Sequence, residues 1–599
     1  MSSQNPADAL VAPAQETPTS GQAPQLEDVR ERDVIIVGAG PTGLMLANIL
    51  GMYGHRVTVL ETRSELIDYP RGVGLDDESF RTIQMVGLVE PVKPHTNPQH
   101  IMRLVNGRGK TILINNPQTD VYGFDRKHGF IQPDVDNVLY EGLSRFEDVE
   151  VLFSHTATDV TEDADGVTVT VDRGEQGLVQ FRAPYLVGCE GGKSPTRKRI
   201  GARFEGESPA TRWLVVDVNN DPLGTPNVFL GADPERPYVS IGLPHAVRRW
   251  EFMLHDDETE EQVTSPEWVN EMLREHVPHP ESLDFIRRRV FTHHARVAHT
   301  FRVGRQLIAG DAAHLMPVWM GQGWNSGMRD ATNLGWKLSA VLKGQAGDAL
   351  LDTYTSERKD HAKAMVDLSN TFGKVIKITN PVLAGVRDVA SSVLNLSPAA
   401  KSYFADMKFK PMPRYHQGVL ADPTTQASGT ATPTLTSRMI PVATANTKVS
   451  PVGTMFPQPK VTTAEQSDVL LDEVIGHGWS VIVWGNSPKD VLPAESLAKL
   501  DALGAKLVAI VPETQREWAQ DYMGEGVLVL GDHTGRVKKW FDDRPTPMVF
   551  LRPDKFVAGA CLNQHGPATL DAILQAMDAT LEPAAAPAAP VAAPVPAGA

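Results

Sequence analysis

The chain has 599 residues, too many for one ordinary hydrophobic core, so two to four domains are expected. Its 57 basic against 73 acidic residues leave a net charge of -16, which argues against nucleic acid as a partner. Cys189 and Cys561 are the only cysteines, too few and too far apart for a disulfide framework or a cysteine-based zinc site, and a reducing compartment suits them. Residues 1–30 are rich in Pro, Ala, Gln and Ser, carry no Lys or Arg before Arg30 and lack an apolar core of signal-peptide length. They are expected to be a disordered tail, and with no export signal visible the cytoplasm is the expected location. No run of about 18 apolar residues occurs, so no membrane span is expected.

A large catalytic unit is expected over residues 31–420. It opens with a buried strand ("DVIIVGAG"), a helix ("PTGLMLANILGMYG") and a second strand ("HRVTVLE"), a βαβ unit. Strands that look antiparallel follow ("DGVTVTVD", "YVSIGLP", "WEFML"), then a short apolar strand at Leu307–Ala309, and residues 331–400 read as mostly helical. The nucleotide-binding parts are assigned to about 31–110, 130–210 and 300–345, a substrate sheet to 211–299 and a helical part to 346–420. Residues 421–449, full of Thr, Ala and Pro, read as a linker. A C-terminal unit follows over 450–582, and 583–599 is an Ala/Pro tail. The fold class is α/β, with a Rossmann-like nucleotide domain interrupted by an antiparallel-sheet substrate domain.

The first strand leads into Gly38, Gly40 and Gly43 at G-x-G-x-x-G spacing, and Glu61 ends the second strand 23 residues after Gly38. Glycines at this spacing let a pyrophosphate approach the backbone at a helix N-terminus, while the carboxylate takes the ribose hydroxyls. The motif alone leaves NAD and FAD open. Two further segments bear on it: "LVGCEGGKSPTRKRIG" at 186–201, and "LIAGDAAHLMPVWMGQGWNSGMRDATNLGWKL" at 307–338. In the second, Gly310-Asp311 ends a strand, and Gly321, Gly323 and Gly327 permit tight backbone around Asn325.

With these three segments the sequence resembles the single-component flavoprotein aromatic hydroxylases, the class A flavin monooxygenases. The resemblance implies FAD, with Asp311 on the ribityl chain and Pro317, Gly321, Gly323 and Asn325 beside the isoalloxazine ring. Arg71 in "DYPRGVGLDDE" stands where the family has an arginine that reaches FAD, and Gln132 where a glutamine opens a helix against it. Glu190 stands where the family has Asp in its Asp-Gly motif, one methylene longer but able to accept the same hydrogen bonds. Long strings such as "RPYVSIGLPHAVRRWEFM" are similar to the branch of the family that hydroxylates 3-hydroxyphenyl-substituted acids. That implies a small aromatic acid and oxygen as substrates, NADH as electron donor, a flavin hydroperoxide as oxygen carrier and a 2,3-dihydroxyphenyl acid as product.

A phenol with an ordinary pKa near 10 becomes a better nucleophile when a base takes its proton. Asp76 aligns with a family aspartate facing the substrate hydroxyl, although Asp76 and Asp77 also precede a helix, where carboxylates serve as N-caps. Tyr238 is a second catalytic candidate, to bond the phenolic oxygen, and His314 a third. His245, Arg248 and Arg249, at a strand end, are candidates to bind the substrate carboxylate. Arg287 to Arg289 read as a solvated face. His293-His294 has no third ligand at metal spacing, so no metal site is expected.

The C-terminal unit reads as a strand, helix, strand, strand, helix, two strands and a final helix, with Pro547 just before a strand. It resembles the thioredoxin-like appendage of larger family members. It has no Cys-x-x-Cys, so a structural role, with assembly as a homodimer, is expected of it. An uncharged phenol as substrate, a flavin-dependent oxidase or dehydrogenase, and a non-catalytic flavoprotein scaffold stay open as alternatives.

Overall fold

The computed structural model describes residues 29–69, 71–98, 100–208, 211–421, 450–544 and 546–581. The two expected tails lie outside the described residues apart from Val29 and Arg30, and the linker does so apart from Ala421.

A six-stranded sheet forms the nucleotide side of the molecule. Its order is Arg302–Val303, Gln306–Ile308, Tyr185–Gly188, Val34–Val37, Val57–Leu60 and Val149–Leu152, parallel except for the first pair. Val34–Val37 lies inside the sheet and is buried on both faces, which is why it reads as an unbroken apolar run. One face carries helix Pro41–Met52, itself buried from Thr42 to Gly51 because helix Gly323–Leu342 lies across it. Gly335 allows that crossing: a Cβ there would lie 2.5 Å from Ile49 Cγ2. The other face packs Ile35, Leu60 and Leu186 against Val167, Val169 and Phe181 of a smaller four-stranded sheet.

A seven-stranded sheet forms the second layer, in the order Asp284–Thr292, Arg212–Asn219, Arg248–Met253, Tyr238–Gly242, Val228–Ala232, Met102–Asn106 and Thr111–Asn115. Residues 102–110 were expected with the nucleotide-binding part. Met102–Asn106 instead pairs in parallel with Val228–Ala232, because the alternating Met102, Leu104 and Ile112 supply apolar surface to the same core as Leu230 and Ile241. The sheet has two apolar faces. On one, Val239, Ile241, Trp213 and Met253 meet Val73, Ile131 and Trp319, and on the other Leu214, Val216, Trp250 and Phe252 meet Val263, Val269 and Leu273.

The C-terminal residues form a five-stranded mixed sheet in the order Leu528–Asp532, Lys506–Pro512, Ser480–Trp484, Met548–Leu551 and Val557–Cys561. The first three strands run parallel and the last two antiparallel to their neighbours. One face packs with helix Gly566–Ala576 against Trp336, Ala340 and Leu350 of the catalytic unit. Buried charges cross the same boundary. Glu357 accepts from both terminal nitrogens of Arg552 (2.8 and 2.7 Å) and from Lys337 Nζ (2.7 Å), and Arg552 also pairs with Asp554 at 2.6 Å. The guanidinium beside Glu357 holds its carboxyl down at about 2 against the opposing effect of burial, while burial brings Lys337 down to about 8. Arg81 makes a second crossing, with Asp472 at 2.6 and 2.8 Å.

Removing one member of a buried pair strands its partner's charge, at about 3 to 5 kcal/mol. Glu357→Gln is therefore expected to lower the first calorimetric unfolding transition by several degrees. A transition within one degree of the parent would show that the network contributes little to the junction.

Candidate active site

The glycine turn after Val34–Val37 is fixed by close contacts. Gly38 has φ 105°, and a Cβ on it would lie 2.5 Å from the Cys189 carbonyl oxygen; a Cβ on Gly43 would lie 2.1 Å from the Gly38 oxygen. Gly40, by contrast, faces open space within 4 Å. Helix Pro41–Met52 starts there with no side-chain cap, so its first N–H groups are directed into that space. Glu61 accepts from the Ala39 N–H at 2.8 Å, tying the second strand end to the turn. Open space, uncapped donors and small residues fit a dinucleotide pyrophosphate. Glu190 lies beside the turn, with its carboxylate committed to the Ser194 hydroxyl (2.6 Å), the Thr196 N–H (3.2 Å) and the Thr196 hydroxyl.

Residues 310–325 are the candidate for the second half of the cradle. Gly310 has φ 61°, and its N–H donates to Asp330. Asp330 also holds His314 Nε2 at 2.7 Å and Arg358 Nε at 2.8 Å, all three fully buried. His314 was expected as a catalytic candidate; its position corrects this, because one ring nitrogen is spent on Asp330 and the ring lies in the interior, where it positions the Gly310-Asp311 turn. Asp311 and Arg71 face one another at 3.3 Å with 35% and 53% of their side chains exposed. A pair this exposed contributes at most about 1 kcal/mol, so both groups can be turned toward a polar ligand. Gly321 has φ 60° and leads into helix Gly323–Leu342. Asn325 ties this turn to the segment before Asp76, donating to the Gly321 and Gly74 carbonyls (2.7 and 2.9 Å) and accepting from the Asp76 N–H and the Ser79 hydroxyl (3.1 and 2.7 Å). Gln132 accepts from the Gly72 N–H at 2.7 Å and donates to Asp136, whose carboxyl burial pushes up to about 7. Pro317 is held through its carbonyl by Ser369.

Asp76 has a different role from the base expected. One oxygen caps helix Asp77–Met85 by accepting from Ser79 N–H, and the other takes Lys410 Nζ (2.9 Å) and an Arg329 terminal nitrogen. These cations outweigh burial and hold the carboxyl well below the usual range, so it is a poor proton acceptor. Arg329 also pairs with Glu78 at 2.7 Å. Arg329, Glu78 and Lys410 were not anticipated, since Arg329 and Lys410 are 251 and 332 residues from Glu78 and no local spacing reports them.

Strand alternation corrects two further expectations. Tyr238 lies on the sheet face away from Val73 and Trp319, its ring 4.5 Å from that of His276. Arg248 shares that face and is completely buried, bound to both oxygens of Asp221 (2.5 and 2.8 Å) and to the Ser240 hydroxyl. His245 is half-exposed on the turn Pro244–Ala246, next to His95 and Asp134. Arg249 alone of the three points to the site: it donates to the Arg71 carbonyl at 3.4 Å and to both oxygens of Asp217. Cross-strand register puts Arg287 on the same aspartate at 2.8 Å, so this arginine is not part of a solvated face. Glu251 completes the group, 3.9 Å from Arg249, and burial pushes its carboxyl up to about 7. The two-residue repeat of "RRWEFM" and "RWLVVDVN" could have signalled Asp217 and Glu251, since each places an acid at an inward position of a buried strand. Nearby, Trp213, His293 and Trp319 pack as an aromatic cluster, and burial brings His293 down to about 3, so it is neutral.

These features define an FAD-binding monooxygenase fold, and comparison with known proteins agrees. The FAD binding domain family matches residues 31–369 and the HcaD C-terminal domain family matches 453–576. The chain is 50% identical over 543 residues to a 3-(3-hydroxy-phenyl)propionate/3-hydroxycinnamic acid hydroxylase of Mycolicibacterium smegmatis, covering 90% of this chain and 92% of that one. It is 46% identical over 556 residues to a protein of the same name from Paraburkholderia xenovorans, covering 89% of both. Among solved structures, the flavin-dependent monooxygenase PieE in complex with FAD and substrate superposes with a TM-score of 0.75 at 19% identity, over 92% of this chain and 99% of that one. Aklavinone-11 hydroxylase, in a ternary complex with FAD and aklavinone, superposes with a TM-score of 0.69 at 21% identity, over 92% and 100%. The chain belongs to the FAD-dependent aromatic hydroxylases, in the family of the two bacterial relatives. Among the described residues, no helix is long and apolar enough to cross a membrane.

Asp311→Ala is expected to weaken FAD binding roughly 10- to 100-fold, the equivalent of losing a hydrogen bond to a charged group at about 1.5 to 3 kcal/mol. Flavin absorbance per chain after gel filtration, with fluorescence titration of the stripped protein, measures this. Unchanged retention would remove Asp311 from the flavin site.

Proposed function

We propose that the protein hydroxylates 3-(3-hydroxyphenyl)propionate and 3-hydroxycinnamate ortho to the phenol, using NADH and oxygen and giving the 2,3-dihydroxyphenyl acids. The observation that carries the substrate class is the charge group on the site-facing side of the seven-stranded sheet. Arg249 and Arg287 bring two positive charges against one from Asp217, and Glu251 is kept from ionising by burial until about pH 7. The group therefore has one positive charge in excess, matched to one substrate carboxylate, and Arg249 is the residue that reaches toward Arg71. NADH rests on the family resemblance.

When bound, FAD would carry electrons from NADH to molecular oxygen and so activate the oxygen atom that is transferred. This chain's residues then determine which carbon meets it. The phenol hydroxyl activates its ortho and para positions, and a carboxylate held at Arg249 fixes the ring's orientation so that one ortho carbon is presented. The apolar surface of Val239, Ile241, Trp213 and Trp319 excludes water from the ring. Asp76, with Arg329 and Lys410, holds the start of helix Asp77–Met85 against Asn325 and so keeps the Gly72–Gly74 segment in place.

We read the C-terminal unit as thioredoxin-like and structural, supported by its sheet order and by the burial of Cys561. Assembly as a homodimer is supported by helix Pro381–Leu394, where Val382, Val386, Val389 and Val393 are each at least 60% exposed along one face, a patch monomers seldom leave uncovered.

Arg249→Met is expected to raise KM for the acid by at least about 30-fold, since truncating a desolvated ion-pair partner costs about 2 kcal/mol or more, with FAD content unchanged. Oxygen uptake and product chromatography measure this, and equal turnover of a neutral 3-alkylphenol would instead favour an uncharged substrate. A pH dependence follows from Glu251. Its folded pKa is raised, so the carboxyl is neutral at pH 6 and ionises as pH rises through about 7, cancelling the excess positive charge. KM for the acid should rise several-fold from pH 6 to 8 in the parent and stay level in Glu251→Gln. Parallel profiles would show that Glu251 does not control the anchor.

A further inference from the structure

Three metal-ligating side chains from separate segments meet at the edge between the nucleotide unit and the seven-stranded sheet. His95 ends the turn Lys93–His95, Asp134 lies in the first turn of helix Gln132–Gly142, and His245 sits on the turn Pro244–Ala246 between two strands. His95 Nδ1 is 3.3 Å from Asp134 Oδ2, and His245 Nε2 is 3.3 Å from His95 Nδ1 and 3.7 Å from Asp134 Oδ2. Zinc bonds of about 2.0 to 2.1 Å in a tetrahedron set neighbouring ligand atoms roughly 3.3 to 3.4 Å apart. The three observed edges are thus close to one face of such a tetrahedron. His245 reaches this position through a left-handed backbone at both His245 and Ala246, φ 56° and 57°, a conformation uncommon for residues other than glycine.

We propose that His95, Asp134 and His245 bind one divalent transition-metal ion of the zinc type. Two imidazoles and one carboxylate suit zinc, cobalt or nickel, whereas magnesium and calcium call for an all-oxygen set. The side chains are 30%, 32% and 51% exposed, so a hydrated ion has an open path and water completes the fourth position. The site lies outside the reacting centre but next to its support. Asp134 is two residues from Gln132, which accepts from the Gly72 N–H, and His245 is three residues from Gly242, whose carbonyl His100 contacts at 2.9 Å. A bound ion ties the strand turn to that helix start and braces the wall of the flavin site. Sequence spacing does not show this cluster, because its members are 39 and 111 residues apart along the chain.

The test uses tag-free, FAD-loaded protein, cleared of metal with a chelator and titrated with zinc sulfate by calorimetry. Parent, His95→Ala, His245→Ala and Asp134→Asn are compared with His279→Ala, which removes an exposed histidine elsewhere as a control for adventitious binding. Flavin absorbance and melting temperature establish that each variant is folded. One zinc per chain is expected in the parent and the control, at least tenfold weaker in the other three, with zinc raising the melting temperature only where it binds. No saturable one-to-one binding in the parent, or binding that persists undiminished in any of the three ligand variants, overturns the site.

Discussion

The candidate flavin site depends on one close crossing, that of helix Pro41–Met52 with the Gly310 turn and helix Gly323–Leu342. Thr42 sits at the contact: a Cβ on Gly310 would lie 2.5 Å from its hydroxyl oxygen, and one on Gly327 only 2.2 Å away. Glycine at both positions lets two segments more than 260 residues apart in the chain close onto the Thr42 side chain. The glycine turn after Val34–Val37 and the Gly310-Asp311 turn are thereby brought to the same side of helix Pro41–Met52 as the two halves of the candidate site. A side chain at either position would require Thr42 or the turn to shift.

Around that contact, the protein manages many buried charges in two contrasting ways. Asp76, Glu78 and Glu357 are surrounded by cations and stay ionised, which fixes geometry and deprives them of basicity. Asp136 and Glu251 are buried with less compensation, so their carboxyls are pushed up to about 7. Only the second kind can change charge near neutral pH, and both lie beside the residues that frame the site. A carboxylate's neighbours, more than its place in a motif, therefore decide whether it holds structure or responds to pH.

The C-terminal unit joins this system through charge as well as apolar packing. Arg81 to Asp472 and Arg552 to Glu357 connect it to helix Asp77–Met85 and helix Asp352–Ile376, whose other residues hold Asp76 and the Asp330 cluster in place. A unit without a Cys-x-x-Cys pair is thus linked to the elements behind the candidate site while standing outside it.

The nucleotide half and the family were legible in the sequence, because their determinants are local. A strand, three glycines at fixed spacing and an acidic strand end specify a turn geometry within about 30 residues. Asn325 and Asp311 were flavin-site candidates through the resemblance alone, and the structure places them on the turn and helix start of residues 310–325. What the tertiary structure decided were properties set by partners distant in the chain. Asp76 has the position of a base, but Arg329 and Lys410, 253 and 334 residues away, remove its basicity. Tyr238, expected at the phenolic oxygen, and Arg248 and Arg249, expected at the carboxylate, lie on adjacent strands, and the side each faces follows from sheet register and from which helices cover which face. A one-residue step reverses that facing, and nothing in the local sequence reports which face meets the candidate site.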